Sequence, residues 1–196
     1  MIDPKNITNY DLTDAGLEEH LLFWVAAAGK TGVVAARNLE VFLTTIMYNN
    51  MGPFEAIRKV VETHPVPLGT MLCMVGMGCH SHKSRTFTEL AYSNLNLRTC
   101  SADDLEKVYG IGRKTSRCFI LHSRKDAQYA GLDTHMLKNL KAAGVENVPK
   151  QTPSTDKQYK RLEKEVLRLA KVAGMSPASY DLMVWNKYSA KSMVTS

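Results

Sequence analysis

The chain has 196 residues, 25 Lys plus Arg against 19 Asp plus Glu, a formal net charge of +6, and 44% hydrophobic residues. That length suits one domain or two small lobes with a substantial core, and the positive balance favours a polyanionic partner, nucleic acid first among them. No apolar run approaches the roughly 18 residues that suggest a membrane span, and MIDPKNITNYD lacks the basic-then-apolar order of a secretion signal, so an intracellular protein with no membrane partner is expected.

The chain reads as a succession of helices. Leu17, Leu21, Leu22, Val25 and Ala26 recur at helical spacing, as do Val33, Ala36, Leu39, Phe42, Leu43 and Ile46 beyond the turn Gly29-Lys30-Thr31-Gly32. Gly52-Pro53 opens PFEAIRKVVETH, with proline in the first turn and Pro65 closing it. Shorter helices are predicted at Leu68 to Val75 and His82 to Ser93. Ser101-Ala-Asp-Asp104 has the form of a cap before Leu105 and Val108, and a further helix is predicted from about Arg113 to Ser123. Asp133-Thr134 caps DTHMLKNLKAAG, TDKQYKRLEKEVLRLAKVAG follows, PASYDLMVWNKY closes the fold, and KSMVTS is expected to fray. No alternating strand pattern and no repeat stand out, so the fold class is all-α.

The four cysteines, Cys73, Cys79, Cys100 and Cys118, show no paired spacing, and Cys73, Cys79, His80 and His82 are too irregular for a metal site. Reduced thiols and no metal are expected. The basic run Lys157, Lys160, Arg161, Lys164, Arg168 and Lys171 reads as a solvated helix face that could flank phosphates.

Between two of the helices stands Tyr109-Gly110-Ile111-Gly112-Arg113-Lys114-Thr115. It lacks the third glycine of a dinucleotide fingerprint, and Arg113 interrupts the Gly-Lys-Thr of a P-loop. Gly110 and Gly112 permit positive φ and close backbone approach, and the free N–H groups of the next helix could receive a phosphate beside Arg113 and Lys114. On the glycines alone, an ordinary helix-joining turn is the stronger reading. Ala27-Ala28-Gly29-Lys30-Thr31-Gly32 is not a P-loop either, because Trp24 occupies the position of the first required glycine.

Context changes the balance. VYGIGRKTSRCFILHS followed by GLDTHMLKNL resembles the helix-hairpin-helix DNA glycosylase superfamily, in particular its endonuclease III-like branch, at Gly110, Gly112, Lys114, Asp133, Thr134 and His135. MVGMGCHSHKSRTFTELA is similar to the family's upstream helix-turn-helix segment. The resemblance spans residues 17 to 145 and is most specific from 105 to 140. It implies a two-lobed fold, with a helical lobe at 17–131 carrying the hairpin at about 102–123, and a second lobe of 1–16 plus 132–196. It also implies an enzyme that extrudes a modified pyrimidine from duplex DNA, with Lys114 as an imine-forming nucleophile and Asp133 assisting it. Gly110, Ile111, Gly112, Arg113, Thr115, Lys30, Thr31 and Lys83 are the implied DNA contacts. A monomer is expected, with no required cofactor and with room for a monovalent cation at the hairpin.

Departures from the family open other readings. No cysteine follows Cys118, so the branch's usual iron–sulfur cluster is not expected in its usual place, and the tail would be held by Tyr180, Leu182, Met183 and Trp185. Tyr109 replaces the usual proline. Lys30 and Thr31 stand where glycosylases usually offer an amide side chain to fill the gap left by the extruded base. These features also suit the glycosylase-like proteins of bacteriophages, which attach an amine or amino acid to an activated thymine. A non-catalytic DNA-binding module is the third reading.

Overall fold

Ten α-helices joined by turns make up the described residues, 2–48 and 50–192, of the computed structural model, and no strand occurs among them. Local chemistry sets most boundaries. Thr13 caps α1 (Asp14–Ala26) by accepting the Gly16 N–H, and Thr31 caps α2 (Gly32–Ile46) by accepting that of Val34. Pro53 opens α3 (Pro53–Thr63), where its missing N–H leaves nothing unpaired, and Glu18 accepts the Phe54 N–H in place of a cap. The turn between α4 (Leu68–Met74) and α5 (His80–Tyr92) passes through Gly76 and Gly78, both at positive φ. Ser101 and Asp104 form a reciprocal capping box at α6 (Ala102–Glu106). The order ends with α7 (Arg113–Ser123), α8 (Thr134–Ala142), α9 (Asp156–Val172) and α10 (Pro177–Ser192). Residues 193–196 of the segment expected to fray lie outside the described residues.

Two apolar cores result. Leu21, Leu22, Phe42, Ile57, Leu72, Phe87, Leu90, Leu105 and Phe119 form the larger, within α1 to α7. Leu132, Met136, Leu140, Tyr159, Leu162, Val166 and Val184 form the smaller, within α8 to α10. The N-terminal segment belongs with the larger core, which corrects the expected grouping of 1–16 with the C-terminal lobe. Ile7 is buried there, and Ile2 and Leu12 pack against it. In the tail, Tyr180 and Val184 share a helix face and are buried, whereas Met183 is exposed. Leu182 packs on the larger core, so α10 spans both.

Arg117 ties the lobes together. Its guanidinium, 3% exposed, pairs with Glu106 and lies 3.4 Å from Glu163 of α9, whose carboxylate also accepts the Ala130 N–H. Tyr159 completes the junction by donating its hydroxyl to the Ala130 carbonyl and accepting the Leu132 N–H.

His20 gives the larger lobe an acid sensitivity. Its ring is 3% exposed, and neither nitrogen has a hydrogen-bond partner. Burial first and His122 second hold its pKa down to about 3, against a weak opposing contact with the Ile7 backbone. The folded pKa lies below the unfolded one, so this stabilisation is complete above pH 6.5 and is lost as pH falls towards 3. The loss is on the order of 4 kcal/mol. Denaturant titrations at pH 7 and pH 3.5 should show that His20→Phe loses correspondingly less stability between the two than the native chain.

Candidate active site and nucleic-acid interface

The hairpin joins α6 to α7 at Gly110, whose φ is +80°. A Cβ there would stand 2.3 Å from Thr86 Oγ1, so the hairpin seats directly on α5 only because the side chain is absent. Gly110→Ala combines a left-handed backbone with this clash. It should cost at least about 3 kcal/mol in denaturant unfolding and weaken DNA binding with it.

Tyr109 explains its own departure from the family's proline. Its N–H donates to Glu89 Oε2 at 2.9 Å, a bond that proline cannot make. Its ring stacks on His82 and bonds to it through the hydroxyl, and Arg85 lies 3.8 Å over the ring centroid. His82 and Arg85 thus brace the hairpin.

The expected DNA-binding residues divide by exposure. Gly112 is exposed, has open space around it, and begins α7 with no side chain capping the first turn, so that turn's N–H groups face outward. Arg113 donates to the Ser154 carbonyl at 2.8 Å and lies 3.8 Å from Asp156, bridging the hairpin to the start of α9. Ile111 and Thr115 are 4% and 8% exposed; their side chains build the hairpin, and only their backbone can meet a ligand.

Lys83 is not a surface contact at all. It is 4% exposed, and its ammonium donates to the carbonyls of Ala26, Ala28 and Met77 at 2.8, 3.0 and 3.0 Å. It staples the α1–α2 turn to the α4–α5 turn. Lys30 and Thr31 are exposed on that stapled edge, with the Lys30 side chain lying against Gly78. On α9, Lys160 and Arg168 pair with Asp156 and Glu165, and Arg161 donates to the carbonyls of Glu146 and Asn147.

A second set of residues meets where α7 faces α8 and α10. Lys114, Cys118 and His122 recur every fourth residue and share one face of α7. The Lys114 ammonium lies 4.7 Å from the Trp24 ring centroid, and His122 stacks on the same indole at 5.4 Å and 18°. Trp24 is therefore a wall of this site, only partly buried, whereas Phe23 and Phe42 are core residues. Asp133 caps α8 by accepting the Met136 N–H at 2.8 Å. Burial first, then Asp181, push its pKa up; the Met136 N–H, Lys114 and His135 oppose them. Burial pushes the Cys118 thiol up to about 12, so it stays protonated and is no rival nucleophile to Lys114. His135 stacks on Tyr188.

Asp181 and His122 are the members that sequence reasoning missed. His122 is fully buried, with Nε2 3.2 Å from Asp181 Oδ2 and Nδ1 2.8 Å from Thr8 Oγ1. The four-residue spacing on α7 could have marked His122; no local signal marks Asp181. Gly131 makes the approach possible, since a Cβ there would meet Cys118 Sγ at 2.2 Å and Asp181 Oδ1 at 3.8 Å.

This architecture is similar to that of the 8-oxoguanine DNA glycosylase of Thermotoga maritima, with a TM-score of 0.68 and 23% identity over 90% of this chain and 81% of that one. The chain has the helix-hairpin-helix glycosylase fold. No family model matches the chain, and no curated protein matches it significantly. Within the glycosylase fold, the hairpin and the Lys114–Asp133 site lie at the two ends of one short segment. The first turn of α7 carries both the outward N–H groups and Lys114.

Proposed function

We propose that the protein binds duplex DNA through the hairpin, extrudes a modified base and excises it with lyase chemistry at Lys114. The observation that carries this reading is the Lys114 ammonium 4.7 Å over the Trp24 ring at the start of α7, with the partly buried Asp133 carboxyl near enough to feel its charge. The outward N–H groups at Gly112 suit one DNA phosphate, and the net charge of +6 adds a sequence-independent attraction. Lys114 must lose a proton before it can attack, and Asp133, whose pKa is raised, is the adjacent acceptor. The neutral amine then forms a bond to the sugar C1′ as the bond from C1′ to the base breaks. The base leaves with the electron pair and takes up a proton. The attached nitrogen, having given one proton to the leaving base, passes its second to O4′ as the C1′–O4′ bond breaks, which gives the imine; loss of a C2′ proton to a base then forms the C2′–C3′ double bond as the C3′–O bond breaks and expels the 3′ phosphate. Asp133, once ionised again, stabilises the cationic sugar.

The substrate proposed is a modified pyrimidine. The 8-oxoguanine named for the Thermotoga maritima protein is the purine to set beside it. Borohydride treatment of the protein with DNA carrying each base should trap a covalent complex, and peptide mass spectrometry should place the link on Lys114. A link at another residue, or none with any modified base, overturns the reading.

The α1–α2 turn favours a second reading, attachment of an amine or amino acid to an activated thymine. Its exposed residues are Ala28, Gly29, Lys30 and Thr31, with no amide side chain to fill a gap in the duplex. Mass spectrometry of the product DNA separates the two. Excision leaves an abasic or nicked strand, whereas transfer leaves an intact strand with a heavier nucleoside.

A further inference from the structure

We infer that Asp181 is a positioning residue for this reaction: held by His122 and Thr8, it sets a second negative charge beside Asp133, so that the Asp133 carboxylate takes the proton leaving the Lys114 ammonium. The inference rests on the lysine chemistry proposed above.

Three observations support it. The first is the rigidity of the holder. His122 is fully buried and stacked on Trp24, and its two contacts are satisfied together by one neutral tautomer. In that tautomer the Thr8 hydroxyl donates to Nδ1, and Nε2–H donates to the Asp181 carboxylate. The main chain reinforces it, because the Asn9 N–H donates to the His122 carbonyl at 2.9 Å. Thr8 thus reaches the site from a segment packed on the larger core, and Asp181 reaches it from α10.

The second is placement. Asp181 Oδ1 approaches the backbone at Gly131, whose carbonyl accepts the Asp133 N–H at 2.9 Å. The groups facing Asp133 are Lys114 and Cys118 from α7, Asp181 from α10, and the Met136 N–H and His135 from its own helix. Cys118 stays neutral, so the charges that decide the proton's position are one ammonium and two carboxylates.

The third is charge balance. With Lys114 protonated and both carboxylates ionised, the trio carries a net charge of −1. Breaking an N–H bond of Lys114 and forming an O–H bond on Asp133 leaves that net charge unchanged while removing one of the two adjacent like charges. With Asp133 and Lys114 alone, the same transfer would only destroy an attractive pair. Asp181 supplies a repulsion that raises the proton affinity of Asp133, and its effect there, second only to burial, has the required sign. Asp181 itself keeps its hydrogen bond from His122.

The test uses the full chain and Asp181→Asn, which keeps the shape and an oxygen to accept the His122 N–H. Carbon-13 NMR of labelled aspartate follows the Asp133 carboxyl with pH, and single-turnover borohydride trapping on DNA bearing an abasic site follows imine formation. In the variant, the Asp133 titration is expected to move to lower pH. The acid limb of the trapping profile should move with it, and the plateau rate should fall about tenfold. Should that variant fail to fold, Thr8→Val frees only the His122 tautomer and should move the titration less, in the same direction. An unchanged Asp133 titration, or a plateau loss with no movement of the acid limb, overturns the inference. Absence of trapping in the native chain would instead overturn the Lys114 chemistry, and the proton transfer with it.

Discussion

Lys114→Ala is expected to abolish covalent trapping and to reduce strand cleavage at an abasic site on the order of 10⁴-fold, while DNA affinity changes little. The separation follows from where the two functions sit on α7. Backbone N–H groups in its first turn, beginning beyond Gly112, suit the phosphate and survive the substitution. The amine proposed to become the imine does not, and no neighbour is placed to replace it. Cys118 is held as a thiol, and Lys83 is committed to three carbonyls. Asp133→Asn gives a graded companion result. Asparagine is as good an N-cap as aspartate, so α8 should remain capped and the unfolding midpoint should stay close to native. Imine formation should nevertheless fall about 10²- to 10⁴-fold, because the amide cannot accept the ammonium proton. Trapping that persists in Lys114→Ala would remove this residue from the chemistry, and an unchanged rate of imine formation in Asp133→Asn would leave Asp133 with its capping role alone.

Lys83→Met is expected to lower stability by about 3 kcal/mol, or roughly 6–12 °C in thermal midpoint. The side-chain volume is nearly kept, so the loss isolates the ammonium. Three carbonyls, those of Ala26, Ala28 and Met77, would be left buried or partly buried without their donor. Removing the buried charge recovers part of that cost, since burial already disfavours the charged lysine and lowers its pKa. Because the staple joins the two turns that flank the exposed Lys30, DNA binding should also weaken when the edge loosens. Calorimetry or denaturant unfolding of the variant checks the first effect, and salt-dependent DNA binding checks the second. A midpoint within a degree of native would mean that water replaces the ammonium freely.

The helices, their caps and the hairpin were legible because their signals are local. A serine or aspartate before an apolar period pairs with an N–H three residues on, and Ser101 and Asp133 do so as expected; the structure adds the same pairing at Thr13, Thr31 and Thr155. The Lys114 and Asp133 pairing was legible only through its resemblance to a family, since nothing in the spacing of an amine and a carboxyl requires them to converge. Lys83 shows the opposite case. A lysine in a polar stretch reads as a surface charge, and its burial depends on carbonyls that two distant turns bring to it. No sequence signal marks Trp24 as part of the site, yet it stands near the end of α1 where its ring meets Lys114.

By itself, then, the sequence determined the all-helical class, the order of the elements and most of their ends to within about two residues, the glycine on which the hairpin turns and, through the resemblance, the two residues proposed for the chemistry. Each rests on backbone sterics, hydrogen bonds within a few residues or one quoted motif. Only the tertiary structure decided that the N-terminal segment packs on the larger lobe, that Lys83 is a staple, and that Thr8, His122 and Asp181 stand behind Asp133. Those positions depend on contacts between residues as far apart as 8 and 181, and such contacts are set by how the two cores close on each other.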